Sequence, residues 1–375
     1  MKRKNIYLIF GIVVLLVIIG IVYVNNNQNK EEIVIGALFP LSGGLAQYGE
    51  VAQKSAMIAV DEINSNGGIN GKKFIIDYQD HQCLPQTAVS IFEQLYSVKN
   101  ERIFTSVACS GTVLSLAPIL NEKKAVLLGT LVTTPKITNV SKYVFRNWAS
   151  DDKEAKLFSE LIRKNGYKKV GVIYEETDYA KGLKLSIDKY LNNSGIIIVS
   201  ESFTSDATDL RTQLTKLKSE NPDALFLSPQ TVTTGDKILK QINEIGFNPK
   251  QILINDNIVK SWTLLQTYNK TLEGAIGADY SPDLVKSEEF LKKYKEKYGI
   301  DCPQPNVGAS VYDAIYMLKE AISKEGYEAD KVRDYLKNIN YNGISGIIMF
   351  DQNNDRDNAE YTLFIVKGGK AVEIK

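Results

Sequence analysis

Two short loops rich in hydroxyl side chains are the segments of this chain best suited to holding a ligand. Residues 109–112 read Cys-Ser-Gly-Thr and residues 129–135 read Gly-Thr-Leu-Val-Thr-Thr-Pro, and each follows an apolar run typical of a buried strand. Hydroxyls and unpaired backbone amides at a helix start together bind a carboxylate or phosphate. Each loop alone also fits an ordinary helix cap. Their repetition at successive strand ends, where open α/β sheets bind ligands, indicates a binding site.

No residue near these loops is suited to activate their hydroxyl groups, so the sequence predicts recognition and not catalysis. The one histidine, His81, lies beside Asp80 in a predicted loop, where a lone histidine is more often structural than catalytic. The sequence contains no nucleophile elbow, Walker A loop, dinucleotide-binding glycine motif or zinc-type spacing of histidine and cysteine. We therefore expect no enzyme activity, no cofactor and no metal site.

Charge is balanced over the chain, with one informative cluster at the N-terminus. The 375 residues include 45 basic and 44 acidic side chains, which gives no indication of nucleic-acid binding. Three basic residues precede residues 6–24, an uncharged apolar run that as a helix would span about 28 Å, close to the hydrocarbon core of a bilayer. We expect residues 1–24 to form a signal or anchor helix and residues 25–31 a polar tether. A missing small-residue cleavage site favours an anchored over a secreted or periplasmic protein.

Apolar runs and amphipathic stretches alternate from residue 33 onward. The runs predict strands at 33–39, 74–78, 102–107, 125–128, 169–174, 195–203, 224–228 and 251–255. The stretches between them predict helices at 50–63, 86–96, 152–164, 179–191, 209–219 and 235–245. Such alternation requires parallel sheets covered by helices on both faces. This many strands favours two sheets in two lobes over one large sheet.

A series of short motifs resembles one known family in both content and order. The series opens with Ile-Gly-Ala-Leu-Phe-Pro-Leu-Ser-Gly at 35–43, Gln-Tyr-Gly at 47–49 and Gly-Gly-Ile-Asn-Gly-Lys-Lys at 67–73. It continues with Cys109-Ser110, Thr133-Thr134-Pro135, Phe145-Arg146, Ser150-Asp151, Tyr179 before Gly182, Tyr312-Asp313-Ala314, Gly-Ile-Ser-Gly at 343–346 and Phe350-Asp351. Together these motifs resemble type 1 periplasmic binding proteins, specifically the leucine/isoleucine/valine-binding subfamily that serves ABC importers. The resemblance covers the chain from Ile33 to its C-terminus.

The resemblance implies two doubly wound parallel-sheet lobes, joined by a three-segment hinge and closing on ligand in the cleft between them. It places residues 32–149 and 278–343 in lobe 1, and residues 150–277 and 344–375 in lobe 2. It also implies a disulfide between Cys83 and Cys109, which leaves Cys302 as the odd cysteine. The protein is expected to lie on the extracytoplasmic face of the membrane.

The family's amino-acid clamp, carried over residue by residue, falls on side chains that suit it chemically. Ser110 and Thr133 match hydroxyls that hold the ligand's α-carboxylate, and the Leu131 carbonyl matches an acceptor for its α-ammonium. Asp256 falls where amino-acid binders have an acid that pairs the ammonium, because an unpaired charge in a closed cleft is costly. Three more residues are expected in the cleft, the last within reach of a polar ligand side chain: Tyr48, Tyr179 and Gln230.

Two departures from the family pattern bear on the ligand. Aliphatic binders carry an acid one methylene longer than Asp256, and an aromatic-rich loop where residues 228–232 read Ser-Pro-Gln-Thr-Val. We therefore expect a small amino acid, and a branched-chain one is an open option. An amide or urea-like molecule and an aromatic acid are the alternatives. Asp256 also fits a helix cap or turn, and Tyr48 and Tyr179 also fit surface or core packing. The expected protein is a monomer that serves an ABC permease, with a membrane-tethered sensor as the alternative.

Overall fold

The first half of the chain builds a five-stranded parallel sheet. The computed structural model describes residues 32–374, so the expected signal or anchor helix and the tether lie outside the described residues. The sheet has the order β2-β1-β3-β4-β5, with all neighbours parallel. Its elements are β1 (Ile33–Phe39), α1 (Ala46–Ser65), β2 (Phe74–Asp80), α2 (Pro85–Ser97), β3 (Ile103–Val107), α3 (Ser110–Lys123), β4 (Val126–Thr130), a 3-10 turn (Pro135–Ile137) and β5 (Val144–Arg146).

A second sheet follows, with seven strands in the order β14-β13-β10-β9-β8-β6-β7. Its β6 to β10 are parallel, whereas β13 pairs antiparallel with both β10 and β14. The elements are α4 (Asp151–Lys164), β6 (Lys169–Glu175), α5 (Asp178–Leu191), β7 (Ile197–Phe203), α6 (Arg211–Ser219), β8 (Ala224–Ser228), α7 (Val232–Glu244), β9 (Gln251–Ile254), α8 (Asp256–Val259), α9 (Trp262–Thr267), β10 (Ile276–Tyr280), β13 (Tyr361–Lys367) and β14 (Lys370–Glu373).

Between β10 and β13 the chain returns to the first sheet. The intervening elements are α10 (Glu288–Tyr298), α11 (Pro305–Glu325), α12 (Ala329–Lys337) and a hairpin of β11 (Tyr341–Gly343) and β12 (Gly346–Ile348). Helix α11 packs along α1, and both α11 and α12 contact β4. The expected α/β fold with parallel-sheet lobes is confirmed, with an antiparallel edge added to the second sheet.

The chain passes between the two sheets three times, at residues 147–150, 281–287 and 357–360. The expected lobe boundaries at 277/278 and 343/344 each fall inside a paired element, because β10 is continuous through Tyr280 and β11 pairs with β12. The hairpin is also held to α11, since the Asp313 carboxylate accepts hydrogen bonds from the Ile344 and Ser345 backbone N–H groups. Residues 354–356 pair with Arg146 of β5, so they belong with the first sheet. We therefore propose lobe 1 as residues 32–149 and 281–356, and lobe 2 as residues 150–280 and 357–374.

No helix among residues 32–374 combines the length and the hydropathy that crossing a membrane requires. The strands at the centre of both sheets are fully buried, as their continuous apolar runs predict. Because the carboxyl ends of parallel strands lie at one edge of a sheet, the loops after β3 and β4 face the loops after β6, β8 and β9 across the space between the lobes. These loops form the walls of the cleft.

Candidate functional site

A small cavity of about 30 Å³ lies between the lobes at the carboxyl ends of the strands. All seven residues expected at the site line it. The complete wall is Leu45, Tyr48, Ala108, Cys109, Ser110, Leu131, Thr133, Tyr179, Gln230, Asp256 and Asn257.

The first hydroxyl loop turns sharply from β3 into α3. Ala108 and Cys109 both have φ of +56°, the left-handed conformation that costs non-glycine residues roughly 1–3 kcal/mol and is often found at functional sites. Ser110 begins α3, and its Oγ accepts a hydrogen bond from the Thr134 backbone N–H at 3.2 Å. The loop therefore presents the start of a 14-residue helix to the cavity, where the helix dipole favours an anion.

The second hydroxyl loop is held from behind by a buried arginine. Arg146, which is fully buried, donates to the carbonyl oxygens of Thr133 and Thr134 at 2.9 and 3.0 Å. Its charge is paired with Asp355 at 2.6 Å. Leu131 has φ of +56°, so this loop too is held in a left-handed turn. The arginine therefore fixes the orientation of the Thr133 and Thr134 carbonyl groups in this loop.

Lobe 2 brings Asp256 to the cavity, and this acid is already paired. Asp256 is 3% exposed; the Tyr179 hydroxyl donates to its Oδ1 at 2.5 Å and the Lys260 ammonium lies 3.1 Å from its Oδ2. Lys260 also contacts Asp279 Oδ1 at 2.7 Å. The alternative of Asp256 as a helix cap is wrong, because Asn255 caps α8 with its own side chain.

Lys260 and Asp279 were not identified from the sequence as neighbours of the site. The one available signal was the spacing of four residues from Asp256 to Lys260, which suits an ion pair on one helical turn. Burial alone lowers the pKa of Lys260, but the adjacent Asp279 and Asp256 raise it above its ordinary value. Burial raises the pKa of Asp279 to about 6 and that of the Tyr48 hydroxyl to about 12. Tyr48 is therefore a neutral hydroxyl at physiological pH.

The expected disulfide is confirmed: Cys83 and Cys109 are bonded, and Cys302 is free. The disulfide lies at the mouth of the cavity. There the amide of Gln230, which belongs to the other lobe, donates to Cys83 Sγ at 3.4 Å. His81, two residues before the disulfide, is fully buried and its Nδ1 accepts from the Cys83 backbone N–H at 3.0 Å. Burial lowers the pKa of His81 to about 4, so it is a neutral structural residue.

The two lobes touch beside the cavity as well as around it. Thr134 of lobe 1 donates from Oγ1 to the Asp178 carbonyl of α5 at 3.0 Å, and Lys136 pairs with the Asp178 carboxylate at 3.2 Å. Gly182, one turn further along α5, lies directly against Thr134. These contacts describe a closed arrangement of the two lobes.

The geometry defines a class: a two-lobed protein that encloses a small molecule between its lobes. The family model described as "Periplasmic binding protein" matches residues 32–371. The chain therefore belongs to the periplasmic binding protein family, and the resemblance to its type 1, Leu/Ile/Val-binding members is confirmed.

Three comparisons show how far the likeness extends. A Leu/Ile/Val-binding protein, BraC3, of Rhizobium johnstonii is 25% identical over 91% of this chain and 93% of its own length. A crystal structure of a leucine-binding protein, LivK, from Thermotoga maritima superimposes with a TM-score of 0.79 at 25% identity, covering 92% of this chain and 98% of that one. A solute-binding protein of Rhodopseudomonas palustris in complex with benzoate has the same fold at 15% identity, with a TM-score of 0.76 and coverage of 92% and 96%.

Proposed function

We propose that this protein is the extracytoplasmic substrate-binding component of an ABC importer and that it binds a small neutral amino acid. The observation that carries the proposal is the pairing of opposite chemistries across one cavity. Lobe 1 presents two hydroxyl loops and a helix N-terminus, which suit a carboxylate, and lobe 2 presents the Asp256 carboxylate, which suits an ammonium. An amino acid is the small molecule that has both groups on one carbon.

In this proposal each end of the ligand has its own partners. Ser110, Thr133 and the first backbone N–H groups of α3 hold the α-carboxylate, while the Leu131 carbonyl and Asp256 accept from the α-ammonium. Because these groups come from both lobes, the ligand completes its contacts only when the cleft is closed. Binding and closure are therefore one event, which is what a permease needs in order to distinguish loaded from empty protein.

The remaining wall suits a side chain without charge. Among residues 32–374, Asp256 is the one charged residue that lines the cavity, and the rest of the space is surrounded by Leu45, Tyr48, Gln230 and Asn257. A charged ligand side chain would lack a partner there, which is costly in a closed site. The name of the Rhizobium relative favours leucine, isoleucine or valine, whereas the amides of Gln230 and Asn257 favour a hydroxyl or amide side chain.

A ligand without an ammonium is the second candidate, and one observation favours it. Lys260 already neutralises Asp256, so this end of the cavity does not require a cation from the ligand. An aromatic carboxylate would then bind through the hydroxyl loops alone, as the benzoate complex of a fold relative suggests.

A stabilisation screen of the purified protein separates the two candidates. We expect at least one neutral L-amino acid to raise the melting temperature, because a ligand at 100 times its Kd adds about 2.7 kcal/mol of stability. The screen should include benzoate, the amide of each active amino acid and its N-acetyl derivative. Stabilisation by benzoate or by N-acetyl amino acids, with none by free amino acids, would contradict the amino-acid assignment.

We further propose that the protein works as a monomer held to the outer face of the membrane by residues 6–24. The support is the uncharged apolar run, which lacks a visible cleavage site. After expression with its own N-terminus, the protein should stay in the membrane fraction through an alkaline carbonate wash. A soluble form that begins near Asn25 would contradict anchoring and identify the segment as a cleaved signal.

A further inference from the structure

Two buried carboxyl groups, Asp151 and Glu154, interact with the charge of Asp256 but do not line the cavity, and the ligand contacts give them no role. Glu154, in the first turn of α4, is fully buried, and neither of its carboxyl oxygens has a hydrogen-bond partner within residues 32–374. Asp151, three residues earlier, is also fully buried; its Oδ2 has no hydrogen bond of standard geometry in the same range, although the Thr133 hydroxyl interacts with this carboxyl group and lowers its pKa. Unpartnered buried carboxyl groups are rare because they are costly, so this pair requires a reason.

The surroundings of the pair are short of positive charge. Acidic neighbours come from two elements, Asp256 from α8 and Asp279 from β10, and hydroxyl groups come from Tyr179 of α5 and Tyr361 of β13. Tyr361 donates to Asp151 Oδ1 at 2.9 Å. In the described part of the chain, two cations are in reach: Lys260, shared by Asp256 and Asp279, and Arg146, paired with Asp355. Lys260 is thus paired with two of the four carboxyl groups, Asp256 and Asp279, and within residues 32–374 neither Asp151 nor Glu154 has an ion pair of its own.

The pair is joined to the ligand site on both sides. The Asp151 backbone N–H donates to the Thr133 carbonyl at 2.9 Å, which ties the start of α4 to the second hydroxyl loop. On the other side, the charge of Asp256 acts on both acids. Burial, then the charge of Asp256, raises the pKa of Asp151 to about 7 and that of Glu154 well above its ordinary value. Both shifts, like burial of oxygens without partners, favour the protonated form of these acids in the empty site.

We propose that Asp151 and Glu154 are positioning residues of the ammonium subsite, and that the site exchanges a proton of this pair for the ammonium of the arriving amino acid. This inference rests on the proposed function. The ligand brings one positive charge to Asp256, and the shared negative potential lets one acid of the pair release its proton to water. The acids around Asp256 thereby gain the ammonium and lose one proton, while the ligand's α-carboxylate is balanced separately by the hydroxyl loops and the N-terminus of α3. No bond other than the O–H bond of the acid is broken.

The sign of the pH dependence follows from this exchange. A nearby cation lowers the pKa of both acids, so the bound state holds fewer protons than the empty state. Affinity therefore rises with pH through the range in which the pair titrates. A release of about half a proton per ligand corresponds to an affinity gain of about threefold per pH unit. A ligand without an ammonium would produce no such release.

Calorimetry in two buffers tests the exchange directly. A panel of neutral L-amino acids is screened against the wild-type protein, and the tightest binder is titrated at pH 7 in phosphate and in Tris, which have very different heats of protonation. We expect the apparent binding enthalpy to differ between the buffers in the direction of proton release. Glu154→Gln and Asp151→Asn keep the side-chain shapes, and each should reduce the difference by at least half and flatten the pH profile of Kd.

Glu101→Gln is the matched control. Glu101 is also buried with both carboxyl oxygens unpartnered within the described chain, and burial raises its pKa to about 7, but it precedes β3 at the sheet edge opposite the cavity. The Glu101→Gln protein should release as many protons on ligand binding as the wild type does. Equal binding enthalpies in both buffers for the wild type would overturn the exchange while leaving the amino-acid function intact. Wild-type values in both Glu154→Gln and Asp151→Asn would overturn the assignment to this pair. Failure of every amino acid to bind would overturn the proposed function and this inference together.

Discussion

Replacing Asp256 with alanine is expected to weaken amino-acid binding by about 2–5 kcal/mol, the usual effect of leaving one partner of a buried charge pair alone. In the wild type the Asp256 carboxylate accepts from Tyr179 and Lys260 while one face remains on the cavity. Without it, both the ligand's ammonium and Lys260 lose a counter-charge. Calorimetry with the amino acid found by the stabilisation screen measures the loss.

Two comparison variants make this result interpretable. Asp256→Asn keeps the shape and the Tyr179 contact but removes the charge, so it should lose most of the same binding energy. Ser110→Ala should lose less, about 1–3 kcal/mol, because the backbone N–H groups of α3 still face the carboxylate. Normal binding by Asp256→Ala would mean that Asp256 does not pair a ligand ammonium, and it would favour an aromatic acid as the ligand. Normal binding by both Asp256→Ala and Ser110→Ala would exclude this cavity as the ligand site.

The cavity wall was predictable because its members belong to short motifs with a fixed order along the chain. Ser110, Leu131, Thr133 and Asp256 each follow a strand of a parallel sheet, and the topology brings such positions to one edge. What was not predictable is the charge behind the wall. The carboxyl groups of Asp151 and Asp279 share one buried cluster although 128 positions separate them in the numbering, and no local pattern indicates which acids a fold will bury together.

The same limit applies to the fold: local sequence patterns predict single strands but not which distant strands pair. Buried parallel strands are continuous apolar runs, so β1 and β8 were predicted at their observed bounds. Strand β5 was missed because three residues, Val-Phe-Arg, are too short for a periodic signal. The lobe boundary at 277/278, which the family resemblance implied, falls inside β10, because the antiparallel pairing with β13 continues the strand to Tyr280. That pairing joins segments more than 80 residues apart, which local sequence does not encode.

Leucine at position 182 is expected to weaken ligand binding at least 100-fold, about 2.7 kcal/mol, without lowering the stability of the ligand-free protein. A Cβ at Gly182 would lie 2.0 Å from Thr134 Oγ1 and 3.3 Å from Thr134 Cβ, both across the contact between the lobes. A larger side chain on α5 must therefore hold the lobes apart. An open cleft has no such clash, and replacing glycine inside a helix favours the helix by up to about 1 kcal/mol. Binding and stability should thus move in opposite directions.

Lys181→Leu is the matched control, because it adds the same side chain at the next position of α5, which is exposed. It should bind as the wild type does. Calorimetry gives both affinities, denaturant unfolding gives both stabilities, and small-angle scattering with saturating amino acid shows whether each protein becomes more compact. Wild-type affinity in Gly182→Leu would mean that the lobes do not meet at Thr134 when ligand is bound. A parallel loss of binding and stability would place the damage in the packing of lobe 2, because a side chain that only obstructs closure leaves the open protein intact.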